Sequence, residues 1–247
     1  MHVPAVGPSN LADNREFAAP PPDQSPARTH RWVDLGLILL VAFGGSIVSS
    51  AYRLFHPLPD NYSNARFATG IFQELVALTL FAVLFSRQGR KVSSLGLSFQ
   101  WTDIPMGLGL VTSSFVVMWT AESAIGSLWF ITGHNAPHFR NTTGFTETSS
   151  WILLPFLLLN PVFEETLVRG YLMTELTELR RSVFVAALVS VAVQTSYHLY
   201  YGLFGALVVG CGLSVFAFFY ATTRRLMPVI VAHMAWDLTA LIRAWHR

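Results

Sequence analysis

Two adjacent acids and an arginine stand inside an apolar stretch of the chain, at Glu164, Glu165 and Arg169. An ionisable side chain at membrane depth costs about 2.5–3.5 kcal/mol on insertion scales and usually marks a functional or paired site. Two further apolar segments each carry one histidine, His198 and His233. Carboxylates and imidazoles that meet in an apolar bundle are typical of proton or metal chemistry, so these residues are the candidates for a site.

The spacing of these residues predicts pairs on helix faces. Glu165 and Arg169 are four residues apart, which lets them form a salt bridge on one face of a helix. Glu164 points about 100° away from Glu165 around the same helix, so it can face another partner. His233 and Asp237 have the same four-residue spacing, and Asp237 can orient the imidazole. Each arrangement can also be purely structural, and the sequence leaves that alternative open.

The elements that must position these residues are membrane helices. The chain has 247 residues, of which 52% are hydrophobic and 12% charged, whereas about 25% charged residues is typical. Between Ser182 and Tyr220 there is no Asp, Glu, Lys or Arg. Several apolar windows of about 20 residues follow one another, which favours a multi-spanning helical membrane protein. The net charge of +2 is too small to indicate nucleic-acid binding.

The predicted fold is all-α, a polytopic membrane helix bundle of about seven transmembrane helices, because lipid offers no partner to open backbone groups. The predicted spans are 33–52, 69–86, 104–131, 151–173, 183–200, 203–221 and 227–244. The third exceeds the roughly 20 residues that a span needs, so we expect it to be tilted or to end near Glu122. The division between the fifth and sixth spans rests on total length and on Gly202.

Two regions are distinguished by composition. Residues 1–30 are rich in Pro, Ala and Asn and are predicted to be a disordered tail, because they cannot bury a core. Residues 31–247 are predicted to form the membrane domain. With the tail in the cytoplasm, most Lys and Arg residues outside the spans lie on the cytoplasmic side, as the positive-inside rule requires. Seven spans would then place the C-terminus outside.

On these predicted spans the candidate residues do not lie at one depth. Glu164 and His233 fall towards the cytoplasmic half, whereas His198 falls near the outer end of its helix. At 1.5 Å per residue the mismatch is about 10–15 Å. A shared site therefore requires the fifth helix to differ in its start, tilt or end, or the orientation to be reversed.

Three motifs in this chain resemble those of the CPBP family of intramembrane proteases, which includes CAAX prenyl endopeptidases and Abi-like, bacteriocin-processing enzymes. The segment from Glu164 to Arg169 fits the family's EExxxR motif, and His198 fits the histidine of its second motif. The segment from His233 to Asp237 fits the third, a His followed four residues later by Asn or Asp. The resemblance covers about residues 93–243, including a short upstream segment at 94–97. One departure is Gln194, where the family usually has Phe.

The resemblance implies that a peptide bond is hydrolysed inside the membrane. Glu164 would be the general base that takes a proton from water, assisted by His198. His233 and Asp237 would stabilise the oxyanion or hold the site together. The remaining pair would be structural, with Arg169 neutralising Glu165. The implied catalytic set is Glu164, Glu165, Arg169, His198, His233 and Asp237.

The resemblance leaves the cofactor open between two accounts. Family enzymes are often called metalloproteases, and Glu164, His198 and His233 could together hold a zinc ion. These ligands come from three separate helices and include no HExxH motif. A metal-free water activated by glutamate is the account that we favour.

The partners implied are membrane lipid and a peptide or protein substrate, which could be prenylated. We expect an integral protein of a bacterial plasma membrane that binds no nucleic acid. The sequence indicates neither the substrate nor the oligomeric state. The alternative function is a non-catalytic membrane protein, such as an immunity or scaffold protein that keeps the polar residues as a structural network.

Overall fold

The computed structural model describes residues 26–56, 63–132, 150–179 and 181–245. Within these ranges every regular element is helical. The α-helices are α1 Pro26–Leu39, α2 Gly45–Phe55, α3 Asn64–Arg87, α4 Asp103–Ile131, α5 Ser150–Glu165, α6 Thr174–Glu178, α7 Val183–Tyr197, α8 Gly202–Thr223 and α9 Met227–Trp245. Most of the predicted disordered tail, residues 1–25, lies outside the described ranges, and α1 begins at Pro26.

Among the described residues, five helical runs are long and apolar enough to cross a membrane: His30–Phe55, Asn64–Arg87, Asp103–Ile131, Trp151–Glu178 and Leu199–Thr223. A shorter apolar helix, Val183–Tyr197, accompanies them. The prediction of an all-α membrane bundle is thereby confirmed, and the chain is an integral membrane protein. The count of seven spans is not confirmed, so the orientation that depends on it stays a prediction.

The long third span is one continuous helix. α4 contains 29 residues and is about 43 Å long, more than the roughly 30 Å of a bilayer core. It continues past Glu122 to Ile131. The predicted alternative of an end near Glu122 is therefore wrong.

The predicted fifth span is shorter than expected. α7 has 15 residues and is about 22 Å long, too short to cross the bilayer core. It ends at Tyr197, and a 3₁₀ turn at Leu199–Tyr201 leads directly into α8. Gly202 begins α8 with φ +82°, a conformation that a side chain would disfavour. His198 therefore lies where a short helix stops, which removes the reason for placing it at the outer end of a full span.

Small residues let α8 approach its neighbours closely. α8 packs between α4 and α7. A Cβ atom added at Gly210 would collide with the Thr195 hydroxyl of α7, and one at Gly212 would collide with Met118 of α4. Membrane helices that approach each other closely commonly have glycine or another small residue at the contact. α8 thus brings α7 and α4 to one side of the site.

The segment at 94–97 holds two parts of the bundle together. Val92–Leu95 is a 3₁₀ turn, and Gly96 follows with φ +83°. The Gly96 carbonyl accepts a hydrogen bond from the Leu226 amide at 3.1 Å, just before α9. The Leu95 carbonyl accepts from the Tyr220 hydroxyl at 3.2 Å. The turn between α8 and α9 is therefore fixed by this upstream segment.

Ion pairs fix the far end of the helix that carries the two adjacent acids. Glu175 on α6 is fully buried and pairs with Arg31 of α1 at 2.7 Å and with Arg90. Glu178 pairs with the same two arginines at 2.5 and 2.9 Å. A network of several charges with a buried member constrains its elements more than an isolated surface pair does. It ties α1 and the turn after α3 to α6.

Candidate active site

The predicted pair of Glu165 and Arg169 forms, but on a π-helical segment. α5 continues through Pro155 and Pro161 to Glu165, and Thr166–Met173 is π-helical, so the predicted α-helix is wrong in this last part. π-helical turns occur frequently at functional sites. Glu165 Oε2 lies 3.4 Å from Arg169 Nε, and neither side chain is exposed.

One further nitrogen of the Arg169 guanidinium contacts a neighbouring helix. Arg169 Nη2 donates to the Leu213 carbonyl of α8 at 3.1 Å. The guanidinium is thus held between a carboxylate on its own helix and a backbone oxygen on another. Because it is fully buried, it can neutralise Glu165 without competition from water.

His233 contacts Glu165 more closely than it contacts Asp237. His233 Nδ1 lies 2.8 Å from Glu165 Oε1. An ionised carboxylate can only accept a hydrogen bond, so Nδ1 carries the hydrogen. Nε2 lies 3.8 Å from Asp237 Oδ1, which exceeds hydrogen-bond length. The prediction that Asp237 orients the imidazole is therefore corrected: Glu165 orients the ring, and Asp237 faces its second nitrogen.

Glu164 faces away from this pair and accepts three hydrogen bonds. The Tyr197 hydroxyl donates to Oε2 at 2.6 Å, and Gln194 Nε2 donates to the same oxygen at 3.0 Å. Asn160 Nδ2 donates to Oε1 at 3.2 Å. These donors fix the carboxylate between α5 and α7. Oε1 has one donor and keeps a lone pair for a further hydrogen bond.

Tyr197 is itself held by the N-terminal helices. Its ring stacks on Phe43, with centroids 5.0 Å apart and planes at 6°. The Ser50 hydroxyl of α2 donates to the Tyr197 carbonyl at 2.6 Å. A carbonyl at a helix end has no partner within the helix, and Ser50 supplies one. The first helical run therefore helps to position the hydroxyl that contacts Glu164.

Gln194 connects the two acids. Its Nε2 also lies 3.4 Å from Glu165 Oε1, so one amide donates to both carboxylates. Its Oε1 is buried and has no partner among the described residues. The phenylalanine usual here in the resembled family could make neither hydrogen bond. Glutamine in place of phenylalanine at position 194 therefore changes the hydrogen bonding of the site.

We expect Gln194→Leu to destabilise the protein. The substitution removes the amide that both acids share, and a hydrogen bond to a charged group contributes about 1.5–3 kcal/mol. Thermal unfolding in detergent should show a lower midpoint than wild type. Gln73→Leu is the matched control, because Gln73 donates one long hydrogen bond, of 3.4 Å, to the Ala42 carbonyl. Equal midpoints for the two variants would contradict a bridging role for Gln194.

His198 occupies the end of α7, one residue after Tyr197. Its Nδ1 donates to the Gln194 carbonyl at 2.8 Å. A carbonyl cannot donate, so Nδ1 carries the hydrogen and Nε2 of the neutral ring is free to accept a proton. The ring stacks against Tyr201, with planes at 13°.

The structure brings most of the candidate residues into one polar network. Glu164 and Glu165 meet at Gln194, and Glu165 continues to Arg169 and His233. Asp237 lies at the end of this network, and His198 joins it through the Gln194 backbone. Among the described residues, no hydrogen bond joins His198 directly to the other five candidates.

Three further members of the network were missed in the sequence: Glu74, Asn160 and Tyr197. Glu74 is an acid inside the apolar span 69–86, the same signal that identified Glu164. Asn160 lies four residues before Glu164, on the same helix face. Tyr197 gave no comparable signal, because an aromatic residue in an apolar helix is ordinary.

The three residues that could hold a zinc ion are Glu164, His198 and His233. Among the residues that the structure describes, no group of three His, Cys, Asp or Glu side chains is arranged to hold a metal ion. Glu164, His198 and His233 therefore do not fit a zinc site as they are placed.

The comparisons with known proteins agree with the motifs. Residues 146–239 match a family model, described as Type II CAAX prenyl endopeptidase Rce1-like. All six candidate residues lie inside the matched segment, and the resemblance to the CPBP proteases is confirmed. The chain matches no curated protein and no solved structure.

Proposed function

We propose that this chain, similar over residues 146–239 to type II CAAX prenyl endopeptidases, is an intramembrane endopeptidase that uses a water activated by Glu164 and His198. The family similarity supports CAAX-type endopeptidase activity in general. The observation that carries the mechanism is the Glu164 carboxylate, which is buried and held by three donors, while His198 joins the same network through the Gln194 carbonyl. Such a carboxylate can act as a general base.

The reaction begins with the transfer of a proton from water to Glu164. The lone pair on Oε1 accepts this proton while the water oxygen forms a bond to the carbonyl carbon of the substrate. The carbonyl π-electrons move to oxygen and give a tetrahedral oxyanion. The proton then passes from Glu164 to the amide nitrogen, the C–N bond breaks, and a carboxylic acid and an amine are released. His198 Nε2 accepts a hydrogen bond from the attacking water and so orients it.

His233 is the group best placed to stabilise the oxyanion. Glu165 holds its Nδ1, and its Nε2 makes no hydrogen bond to any residue that the structure describes, since Asp237 Oδ1 at 3.8 Å lies beyond hydrogen-bond length. A protonated ring would present an N–H at Nε2 to developing negative charge. Donors held in advance in a dry site are worth more than the same donors in water. Arg169 balances the charge of Glu165 and keeps the helix that carries both acids in place.

The proposed substrate is a membrane-associated peptide that carries a prenyl group near the scissile bond. The candidate residues lie on membrane helices, so a substrate anchored in lipid would present its peptide within the same bilayer. A bacterial plasma membrane is the proposed location. The test is cleavage of a fluorogenic farnesylated CAAX peptide by the purified protein in liposomes, beside the same peptide without the farnesyl group. Cleavage of the farnesylated peptide is expected to be faster, and equal rates would contradict a preference for prenylated substrates.

We expect a chelator to leave the cleavage rate unchanged. Among the described residues, Glu164, His198 and His233 are not grouped as metal ligands, and the proposed base acts directly on water. The measurement is the initial rate with and without 1,10-phenanthroline, with its non-chelating isomer 1,7-phenanthroline as the control. A rate that the chelator abolishes and added zinc restores would replace this mechanism by a metalloprotease mechanism.

A further inference from the structure

A third carboxyl group lies beside the proposed base. Glu74 is on α3, in an apolar span outside the segment that matches the family model. Its side chain is only 5% exposed, whereas its neighbours Phe72, Leu75 and Val76 are exposed on the bundle surface. Glu74 is the one acid in α3, and its side chain therefore points into the bundle.

Asn160 connects Glu74 to Glu164. Its Nδ2 donates to Glu74 Oε1 at 3.0 Å and to Glu164 Oε1 at 3.2 Å. An amide nitrogen has two hydrogens, so each carboxyl group receives one. With a carboxyl oxygen that accepts on either side, the nitrogen of the amide, and not its oxygen, lies between the two acids. Glu74 and Glu164 therefore orient the Asn160 amide together.

Glu74 is held firmly against α5. α3 and α5 pack against each other, and Phe67 meets Phe156 edge to face, with ring centroids 4.9 Å apart. Phe156 also fills the space beside Gly70, where a Cβ atom would contact it closely. Packing on this scale leaves the carboxyl group little freedom to move away from Asn160.

A purely structural role, in which Glu74 only ties α3 to α5, accounts less well for a buried acid at this position. One interhelical hydrogen bond in a membrane gains less than a carboxyl group costs to insert. Glu74 Oε2 is also buried without a partner among the described residues, which adds to that cost. The apolar pairs between the two helices already hold them together.

We propose that Glu74 is a positioning residue for the hydrolysis. It accepts a hydrogen bond from Asn160 and so fixes the amide that donates to Glu164 Oε1, the oxygen that receives the proton of water. Without Glu74 the Asn160 amide loses one of its two acceptors and is held less firmly against Glu164. The proposal rests on the proposed function, because Glu164 must be the base for its position to affect the rate.

The kinetic test compares variants that keep or remove the acceptor oxygen. Glu74→Leu should lower kcat by about 10- to 100-fold, as small displacements of a catalytic group do, with KM within about twofold of wild type. Glu74→Gln keeps an acceptor for Asn160 and should retain most of the activity. Asn160→Leu should lose as much as Glu74→Leu, and the double variant no more than either single variant. Glu122→Leu, an exposed acid on α4, is the control and should cleave normally.

Three results would overturn the proposal. The first is full activity in Glu74→Leu. The second is a loss in Glu74→Gln as large as in Glu74→Leu, because an exchangeable proton and not the acceptor oxygen would then matter. The third is a multiplicative loss in the double variant, which would show that Glu74 and Asn160 act separately.

A second measurement does not depend on proteolysis. Thermal midpoints of Glu74→Leu, Asn160→Leu and the double variant should be non-additive, because the two residues share one contact. Additive midpoints would overturn the role of Glu74 even if the protein cleaves peptides. Wild-type protein that cleaves no peptide, with non-additive midpoints, would instead contradict the proposed function and leave the Glu74–Asn160 contact supported.

Discussion

Glu164→Gln is expected to abolish peptide cleavage while leaving the protein folded. Glutamine has nearly the shape of glutamate, and its amide oxygen can still accept from Tyr197 and Gln194, the two donors to Oε2. It cannot take a proton from water. Loss of a general base lowers the rate by about 10²–10⁴-fold, so hydrolysis should fall to the limit of detection.

The measurement is the rate of peptide cleavage by purified wild-type and variant protein, together with their thermal midpoints. Glu122→Gln makes the same chemical change on an exposed membrane-helix position and should behave as wild type. Cleavage by Glu164→Gln at the wild-type rate would exclude Glu164 as the base. Full biological function of a variant that has lost proteolysis would favour the immunity or scaffold alternative.

Arg169→Ala is expected to be the most destabilising of the substitutions considered. It leaves the Glu165 carboxylate buried beside His233 without its arginine, and it removes the donor to the Leu213 carbonyl. Breaking a buried pair at one end typically costs about 3–5 kcal/mol, a large share of the 5–15 kcal/mol that stabilises a typical protein. The variant should accumulate poorly and unfold at a much lower temperature.

A second substitution distinguishes charge from packing in this prediction. Arg169→Met combined with Glu165→Gln removes both charges and keeps similar volumes, so it should recover much of the lost stability. Arg87→Ala, at the exposed end of α3, is the control for loss of an arginine. The measurement is the thermal midpoint in detergent and the yield of folded protein. A wild-type midpoint for Arg169→Ala would show that the ion pair does not hold the helix.

The sequence by itself determined the features that depend on neighbouring residues in the chain. Long apolar windows identified an all-α membrane bundle, because composition decides whether a helix prefers lipid. A spacing of four residues paired Glu165 with Arg169. The rotation of about 100° per residue in a helix directed Glu164 to a different partner. The order of the three motifs identified the CPBP resemblance, which the match over residues 146–239 confirms.

The tertiary structure alone decided which distant groups meet. Glu165, and not Asp237, orients His233 across 68 positions of sequence, and Gln194 donates to both acids from α7. The early end of α7 could not be predicted, since an apolar composition does not state where a helix stops inside a bundle. Glu74 was visible as an acid in an apolar span, but its partner Asn160 depends on how α3 packs against α5. A buried polar group needs a partner wherever it lies, and only the packing of the helices determines which partner it finds.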